Sequence, residues 1–302
     1  MKIASYRHQE AEGFGVVMGD ALFELVPRLG GRAASLVEAL ERGLMDEIRT
    51  LAERRHADLA VSEVELLAPV LRPQKIICVG INYRGRPEEY GKAEEPPFPS
   101  LFHRNTRAQV GHGGALKRPP ESEQFDYEGE IALIIGKGGR RIAKAEALSH
   151  IAGYSCFNEG SVRDWMRHGQ FNVTAGKNFE ASGSFGPWMA TPDEIADPHN
   201  LRLTTRVNGN VVQNDTTASL IFPFETLIHY ISTFTTLDPG DVIVTGTPAG
   251  SGAKQVPPRW LRAGDVLEIE VEGVGTLRNT VVDEVATAST AGVRAPAPAT
   301  VS

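Results

Sequence analysis

From about residue 75 to residue 283 the sequence is a succession of short apolar runs separated by Gly and Pro. This pattern constrains the fold more than any other feature, because short β-branched and aromatic runs bounded by turn residues are typical of strands. VNGN at 207–210 carries the Asn-Gly pair of a tight hairpin turn. Two segments, AKAEALSHIAG and FPFETLIHYISTF, instead have apolar residues at helical spacing. The sequence therefore predicts an α+β protein that is mainly β.

The first 72 residues have a different organisation. The strand patterns MKIASYR and FGVVMGDALFELV precede ASLVEALERGLMDEIRTLAERR, whose apolar residues recur at helical spacing. The last residues, ATASTAGVRAPAPATVS, have too few large apolar side chains to form a core. We expect a small N-terminal α/β domain at 1–72, a catalytic domain at 73–283 and a disordered tail at 284–302.

Composition and charge exclude several classes of protein. Of the 302 residues 41% are hydrophobic, the formal net charge is −7, and no stripe of Lys and Arg stands out. No apolar run approaches the roughly 20 residues of a membrane span. The two cysteines, Cys78 and Cys156, lie in apolar strand-like runs, which is typical of small buried side chains in a reducing compartment. We expect a cytoplasmic protein that binds neither nucleic acid nor membranes.

One predicted strand contains three carboxylates in an otherwise apolar sequence. FDYEGEIALII, at 125–135, places Asp126, Glu128 and Glu130 at alternate positions and hence on one face of a strand. A solvated face is the commoner explanation, but the continuous apolar run that follows indicates a strand covered on both sides. Buried carboxylates are costly unless they share a partner, and neighbouring carboxylates can bind Mg²⁺ together. Glu159, which follows the strand pattern YSCF, is the candidate for a further ligand.

Three more segments carry polar residues at positions where ligand sites are built. Ser161 is a good N-cap for a short helix VRDWMRH. On this helix Arg163 either binds a substrate carboxylate or forms an exposed ion pair with Asp164 or another neighbour. Lys177, in a Gly-rich loop, either orients a substrate oxyanion or is simply solvated. VTGTPAG ends a strand with two Thr hydroxyls, and serves either as a carboxylate cradle or as a plain turn.

Taken together these motifs resemble the fumarylacetoacetate hydrolase family, over the stretch from Lys75 to Asn279. The motifs that carry the resemblance, in chain order, are ICVGINY, DYEGE, GYSCFNEGSVRD, GKNF with SFGPW, VNG with Gln213, and LDPGDVIVTGTPAG. The resemblance implies a mixed β-roll or β-barrel core that holds one Mg²⁺ or Mn²⁺, in a homodimer. Residues 1–72 are similar to the small N-terminal domain that many bacterial members carry.

The same resemblance implies roles for individual residues. In the family the two Glu of the E-x-E strand bind the metal with an Asp from the next element, and in this chain Glu159 stands at the position of that Asp. Asp126 shares the face of the two strand glutamates, but the family pattern implies that it orients a neighbour instead of binding metal. The remaining roles implied are Lys177 as a catalytic residue, and Arg163, Thr247 and Tyr83 as substrate-binding residues.

A second departure from the family pattern concerns water activation. The family's hydrolases carry, on a lid after the Asn-Tyr pair, a His followed three residues later by a Glu. Here Arg86 occupies the His position and Glu89 the Glu position. An arginine cannot act as a general base because its pKa is too high. Either Glu89 acts alone, or a histidine substitutes (the candidates are His103, His112 and His168), or the reaction needs no activated water; Glu89 and Arg86 remain candidate catalytic residues.

Members of the family cleave C–C bonds in acylpyruvates, decarboxylate oxaloacetate-like acids or isomerise hydroxymuconate-type diacids. The resemblance therefore implies a small anionic 2-oxo acid substrate and a metal that stabilises an enolate. We expect first a divalent-metal-dependent hydrolase of an acylpyruvate or related 2,4-dioxo acid. The alternative is a decarboxylase, isomerase or tautomerase of a diacid, which needs no water nucleophile. A relative that only binds ligand is less favoured, because the metal ligands and Lys177 are retained.

Overall fold

The fold is described from a computed structural model, over residues 1–53, 57–91, 94–169 and 172–285. Nearly all of the predicted tail, from residue 286 onward, lies outside these residues. The strands of the first two thirds are β1 (Lys2–His8), β2 (Ala11–Met18), β3 (Ala21–Glu24), β4 (Leu59–Ala60), β5 (Glu65–Leu66), β6 (Ile76–Gly80), β7 (Ser100–His103), β8 (Gln109–Val110), β9 (Ala115–Arg118), β10 (Phe125–Asp126), β11 (Gly129–Ile135), β12 (Ile151–Asn158), β13 (Ser161–Val162) and β14 (Gly183–Ala190). The remaining strands are β15 (Arg202–Val207), β16 (Asn210–Thr216), β17 (Val242–Val244), β18 (Val266–Val271) and β19 (Gly275–Asp283).

The α-helices of the described residues are few and mostly short. They are α1 (Leu36–Glu41), α2 (Met45–Ala52), α3 (Arg86–Glu89), α4 (Lys144–Ala147), α5 (Thr174–Lys177) and α6 (Phe224–Phe234). Single 3₁₀ turns are found at Val61–Glu63, Thr106–Ala108, Leu148–His150, Trp165–Arg167, Pro192–Glu194, Pro198–Asn200, Thr217–Ser219 and Gly252–Lys254. None of these described helices has the length and apolar composition that crossing a membrane requires.

The strands form mixed sheets, which confirms the predicted mainly β, α+β core. The large sheet has the order β4-β3-β2-β1-β14-β12-β11-β17-β6-β7, with β5 on β1 and β8 on β14. Most of its pairs are antiparallel, whereas β17 and β6 are parallel. A second sheet has the order β16-β15-β18-β19-β9, and β10 pairs with β13 alone. The VNGN turn joins β15 to β16, with Asn208 and Gly209 at φ +53° and +77°, as a two-residue hairpin of its predicted type requires.

Strand β11 is buried on both faces, as its continuous apolar sequence predicts. Ile131, Leu133 and Ile135 lie in one core cluster together with the buried face of α6. Ala132 and Ile134 point the other way, into a cluster that includes side chains of α1 and α2. Any carboxylate at the start of this strand is therefore held by a rigid scaffold from which water is excluded.

The N-terminal strands extend the large sheet. β1 pairs with β14 through Lys2 opposite Ala190 and Ile3 opposite Met189. The predicted long helix of this region is two helices, because Gly43 between α1 and α2 takes φ +64°, outside the helical region. The division of the chain at residue 72 stays a prediction.

Two local predictions about the acidic region are wrong. The stretch 125–135 is two strands, β10 and β11, with Tyr127 and Glu128 between them, because Phe125 and Asp126 pair with β13 instead of continuing the large sheet. For the same reason Ser161 does not cap a helix but lies in β13, and the turn Trp165–Arg167 is capped by the Asp164 side chain.

Candidate active site

Three buried glutamates meet at the start of β11 and the end of β12. Glu128 precedes β11, Glu130 lies on it, and Glu159 follows β12. The pairing of Gly129 with Asn158 sets this register, and the Glu159 N–H donates to the Glu128 carbonyl at 2.8 Å. One carboxylate oxygen from each glutamate lies within 4.8 Å of the others, and the residues are 3%, 1% and 2% exposed. The structure therefore brings together the three residues that were predicted as metal ligands.

Glu128 is the most heavily paired of the three. Its carboxylate accepts hydrogen bonds from Arg163 Nη2 at 2.8 Å and Arg86 Nη2 at 3.2 Å, and from Ser161 Oγ at 3.0 Å and the Lys177 ammonium. Burial by itself would raise the pKa of this carboxyl group, but the positive charges of Arg163, Lys177 and Arg86 outweigh it and hold the pKa well below its usual range. Glu128 is thus a carboxylate at neutral pH.

Glu130 and Glu159 are less completely neutralised. Glu130 Oε2 accepts the Gly246 N–H at 2.6 Å, while burial and the like charges of Glu159 and Glu128 raise its pKa well above the usual range. Glu159 Oε2 accepts from Lys177 Nζ at 2.6 Å, but its buried Oε1 has no hydrogen-bond partner among the described residues. An all-oxygen donor set with residual negative charge fits a hard divalent cation, so the three glutamates could hold Mg²⁺ or Mn²⁺.

Arg163 and Asp126 form a buried ion pair next to the three glutamates. Arg163 Nε donates to Asp126 at 2.8 Å, so Arg163 is paired with Asp126 and Glu128 and not with its neighbour Asp164. Asp126 also accepts the backbone N–H groups of Gly252 at 2.8 Å and Ala253 at 3.1 Å. It therefore fixes both the guanidinium and the turn behind it, which is the orienting role predicted for it.

The segment predicted as a lid lies against the cluster. Helix α3 begins after Gly85, whose φ of +87° permits the sharp entry. Arg86 is 2% exposed and is ion-paired with Glu89 as well as with Glu128. Glu89 Oε1 in turn accepts the Gly250 N–H at 3.2 Å. The segment is thus joined by hydrogen bonds both to the glutamates and to the loop that follows β17.

A cavity of about 290 Å³ opens onto these groups. Its charged lining residues are Arg86, Glu128, Glu130, Glu159, Arg163 and Lys177. Its other lining residues are Val79, Gly80, Ile81, Tyr90, Ser100, Leu101, Phe102, Met166, Asn172, Val173 and Thr247. The volume lies at the small end of the roughly 300–1,000 Å³ range of ligand pockets, so the site suits a molecule of a few carbon atoms.

Several predicted site residues lie outside this lining. Tyr83 is fully buried, and its hydroxyl has no hydrogen-bond partner among the described residues. Glu89 does not line the cavity, nor do the three histidines offered as substitutes for a water-activating base: His103, His112 and His168. No histidine of the described part of the chain lines the cavity.

Thr247 lines the cavity, but its hydroxyl is already engaged. It donates to the Gly129 carbonyl at 2.8 Å and accepts from Gln213 Nε2 at 2.8 Å. Gln213 also accepts the Gly129 N–H at 2.9 Å. A substrate carboxylate would compete with Gly129 for the hydroxyl hydrogen of Thr247, so the substrate-binding role of this residue stays a prediction.

Arg104 is a buried charge at the site that sequence reasoning missed. It is 3% exposed and donates to the Gly160 carbonyl at 2.7 Å and to Ser182 Oγ at 3.1 Å. It therefore holds the backbone directly after Glu159. The sequence PSLFHRN indicates only the end of a strand. It does not reveal the role of Arg104, because the hydrogen-bond partners of Arg104 are more than fifty residues away along the chain.

Comparison with known proteins gives a consistent result. The profile of the family described as fumarylacetoacetate (FAA) hydrolase, C-terminal, matches residues 75–282. The mitochondrial oxaloacetate tautomerase FAHD2A of Bos taurus is 38% identical over 278 residues, which are 91% of this chain and 86% of that protein. Oxaloacetate tautomerase YisK of Bacillus subtilis (strain 168) is 38% identical over 274 residues, 86% of this chain and 89% of that one.

A solved structure adds information about the metal. Maleylpyruvate hydrolase from Sphingobium sp. SYK-6, in complex with manganese(II) and pyruvate, is 27% identical with a TM-score of 0.78. The match covers 94% of this chain and 99% of that one. Since the two relatives above are tautomerases, the comparisons favour the tautomerase alternative over the C–C hydrolase that the sequence analysis placed first.

Proposed function

The chain is an enzyme of the fumarylacetoacetate hydrolase family, and we propose that it is a divalent-metal-dependent keto–enol tautomerase of a short 2-oxo acid, with oxaloacetate as the substrate to test. The observation that carries the proposal is the buried Arg86, ion-paired with Glu89 and Glu128 at the edge of the cavity. An arginine keeps its proton at every physiological pH and cannot activate water. Tautomerisation needs no water nucleophile, so this arrangement fits it better than hydrolysis does.

Glu128, Glu130 and Glu159 would hold the metal, which we propose is Mg²⁺ or Mn²⁺. The carboxylate-only donor set suits both ions, and the maleylpyruvate hydrolase relative was solved with manganese(II). When bound, the ion would supply a Lewis acid that polarises the C2 oxygen of a 2-oxo acid.

The protein's own part in the reaction is to move one proton. Enol and keto forms interconvert when the C2 hydroxyl loses its proton and C3 gains one, and no bond between heavy atoms breaks. Lys177 lines the cavity as an ammonium group held between Glu128 and Glu159. Burial alone would lower its pKa, but the charges of the two glutamates outweigh burial and raise the pKa, so Lys177 would act by donating a proton to C3 and recovering one from the C2 hydroxyl. We propose that Lys177 carries the proton and that Arg163 binds the carboxylate next to the C2 oxygen. Helix α3 and the apolar wall keep bulk water from the reacting carbon.

The test follows the conversion of enol-oxaloacetate to the keto form, coupled to NADH oxidation by malate dehydrogenase, with Mg²⁺ or Mn²⁺ present. We expect the protein to accelerate this conversion and EDTA to abolish the effect. Lys177→Met should lower the rate by about 10²–10⁴-fold, the usual contribution of a positioned acid–base group. Lys117→Met, in which Lys117 is 37% exposed on β9 outside the cavity, is the matched control and should retain full activity.

Other outcomes of the same assay would separate the alternatives. Pyruvate formation, detected with lactate dehydrogenase, would identify a decarboxylase. Cleavage of an acylpyruvate without any acceleration of tautomerisation would refute the proposal in favour of the hydrolase. Turnover that is unchanged in Lys177→Met would refute the role of Lys177.

Two further expectations from the sequence stay predictions. The homodimer is tested by sedimentation equilibrium of the purified protein. The cytoplasmic location is tested by fractionation of the cells that produce it.

A further inference from the structure

We propose that Arg86 binds a second, distal carboxylate of the substrate and so makes the site selective for dianionic 2-oxo acids over monoanionic ones. The inference deepens the proposed function, because it names the substrate class of the same site. It concerns binding, however, and can therefore be tested without turnover.

The guanidinium of Arg86 is incompletely satisfied. It is 2% exposed and lines the cavity, and its buried Nε has no hydrogen-bond partner among the described residues. Its Nη atoms contact the carboxylates of Glu89 and Glu128, Ser251 Oγ at 3.3 Å and the Tyr90 hydroxyl at 3.3 Å. A buried charged donor without an acceptor is costly, so a ligand oxygen that reached it would bind with an advantage.

The charges of the cavity favour an anionic ligand. Among the described lining residues, three cations, Arg86, Arg163 and Lys177, face three carboxylates, and Glu89 and Asp126 pair with the two arginines from outside the lining. A divalent cation on the glutamates adds two positive charges. We therefore expect the ligand that enters this buried site together with the cation to be an anion.

The two arginines are also placed to act as a pair. Arg163 Nη2 and Arg86 Nη2 approach the same oxygen, Glu128 Oε1, at 2.8 Å and 3.2 Å, but they come from different elements. Arg163 is held by its hydrogen bond to Asp126, and Arg86 is the first residue of α3. Guanidinium groups prefer carboxylate partners with which they form forked hydrogen bonds. Two such groups on one small cavity therefore match a molecule with two carboxylates.

The experiment measures binding of (S)-malate and (S)-lactate by calorimetry in the presence of Mg²⁺. The two acids differ by one carboxylate, and neither can tautomerise. We expect the wild-type protein to prefer malate, and Arg86→Gln to weaken malate binding by about 10- to 100-fold, as the loss of a charged hydrogen-bonding partner does. Lactate binding should change by less than about twofold, and Arg86→Lys, which keeps the charge but not the fork, should be intermediate.

The matched control is Arg84→Gln, two residues earlier in the same segment, where the side chain is 60% exposed and lies outside the cavity. It should leave both affinities unchanged. Equal weakening of malate and lactate in Arg86→Gln would overturn the proposal, because it would show that Arg86 only shapes the cavity. Unchanged malate binding would overturn it as well.

Melting curves of each variant check that the fold is retained, and Arg86→Lys gives the same comparison if Arg86→Gln does not fold. The proposed function fails separately. Suppose that the wild-type protein does not tautomerise oxaloacetate but prefers malate, and that Arg86→Gln loses this preference. This result would refute the proposed reaction and support the role of Arg86.

Discussion

Replacing Glu130 with Gln should make the metal-free protein more stable and at the same time remove its response to metal. The Glu130 carboxylate is 1% exposed and lies within 4.8 Å of the carboxylates of Glu128 and Glu159. A glutamine has nearly the same shape, and its amide oxygen can still accept the Gly246 N–H. The substitution therefore removes a charge and leaves the packing almost unchanged.

The size of the effect follows from Coulomb's law. Two carboxylate oxygens that lie within 4.8 Å of each other repel by about 3 kcal/mol or more at an effective dielectric constant of about 20. The gain from removing Glu130 is smaller than this, because Lys177 bridges both neighbours and because Glu130 can take up a proton. We expect a gain of about 1–2 kcal/mol, or a rise in melting temperature of about 2–4 °C for a chain of this size.

The sign of the pH dependence follows from the raised pKa of Glu130. Between the ordinary pKa of a Glu and the raised value, the folded metal-free protein holds a proton that the unfolded chain has lost. The stability of the metal-free protein therefore falls as the pH rises through this interval. Glu130→Gln removes that contribution to the slope, so its advantage over wild type should be larger at pH 8 than at pH 5.

The assay is thermal unfolding with EDTA and with a saturating amount of Mg²⁺ or Mn²⁺. A ligand present at 100 times its Kd stabilises the folded state by about 2.7 kcal/mol. The wild type should therefore melt below Glu130→Gln in EDTA and above it in metal. Glu270→Gln, on β18 with a side chain 48% exposed, should follow the wild type in both buffers. If Glu130→Gln melts below wild type by the same amount in both buffers, the reasoning is wrong and Glu130 is a structural residue.

Three further substitutions probe the groups around the glutamates. Asp126→Asn breaks the buried pair with Arg163 and should lower the free energy of unfolding by about 3–5 kcal/mol in urea titrations; a change below 1 kcal/mol would contradict this. Gly160→Ala would place a Cβ 1.7 Å from the Ser182 carbonyl oxygen, so we expect a loss of about 1–3 kcal/mol and weaker Mg²⁺ binding by calorimetry. Tyr83→Phe removes a hydroxyl without a described partner and should leave urea stability unchanged or raise it by up to about 1 kcal/mol; in steady-state kinetics, a higher KM without loss of stability would support the substrate-binding role of Tyr83.

Residue patterns alone predicted the class of fold because the strands of this chain are encoded locally. The uninterrupted apolar run after Glu130 predicted a strand covered on both faces, and the two core clusters on either side of β11 confirm it. Asn208 and Gly209 likewise predicted the turn between β15 and β16 from local conformational preference alone.

Long-range pairing accounts for most of what the sequence pattern predicted wrongly. Nothing in FDYEGE distinguishes one strand from two, because carboxylates occupy every second position without a break at Tyr127 and Glu128. The break arises where Phe125 and Asp126 pair with Val162 and Ser161, more than thirty residues away. The same pairing explains why Ser161, with the composition of a helix cap, instead donates to Glu128.

The ion-pair and hydrogen-bond partners of the buried charged residues could not be predicted from the sequence either. An ion pair between Arg163 and its neighbour Asp164 was one expectation, and it is wrong because the protein partners of Arg163 are Asp126 and Glu128. Arg104 carried no local signal at all, and only the fold places it behind Glu159. Charge partners depend on which elements meet in space, so a single sequence without coupled positions does not reveal them.

The presence of Arg86 at the position where the family resemblance implies a histidine has two consequences that belong together. It removes a base that could activate water, and it adds a permanent positive charge to a buried site that also lies beside a candidate metal. A buried guanidinium is retained only where anions compensate its charge, and within the described structure Glu89 and Glu128 do so, while Nε stays without a hydrogen-bond acceptor. A second carboxylate on the substrate would supply that acceptor. The same side chain that argues against hydrolysis therefore argues for a dianion, and the two inferences are coupled through the charge of one residue.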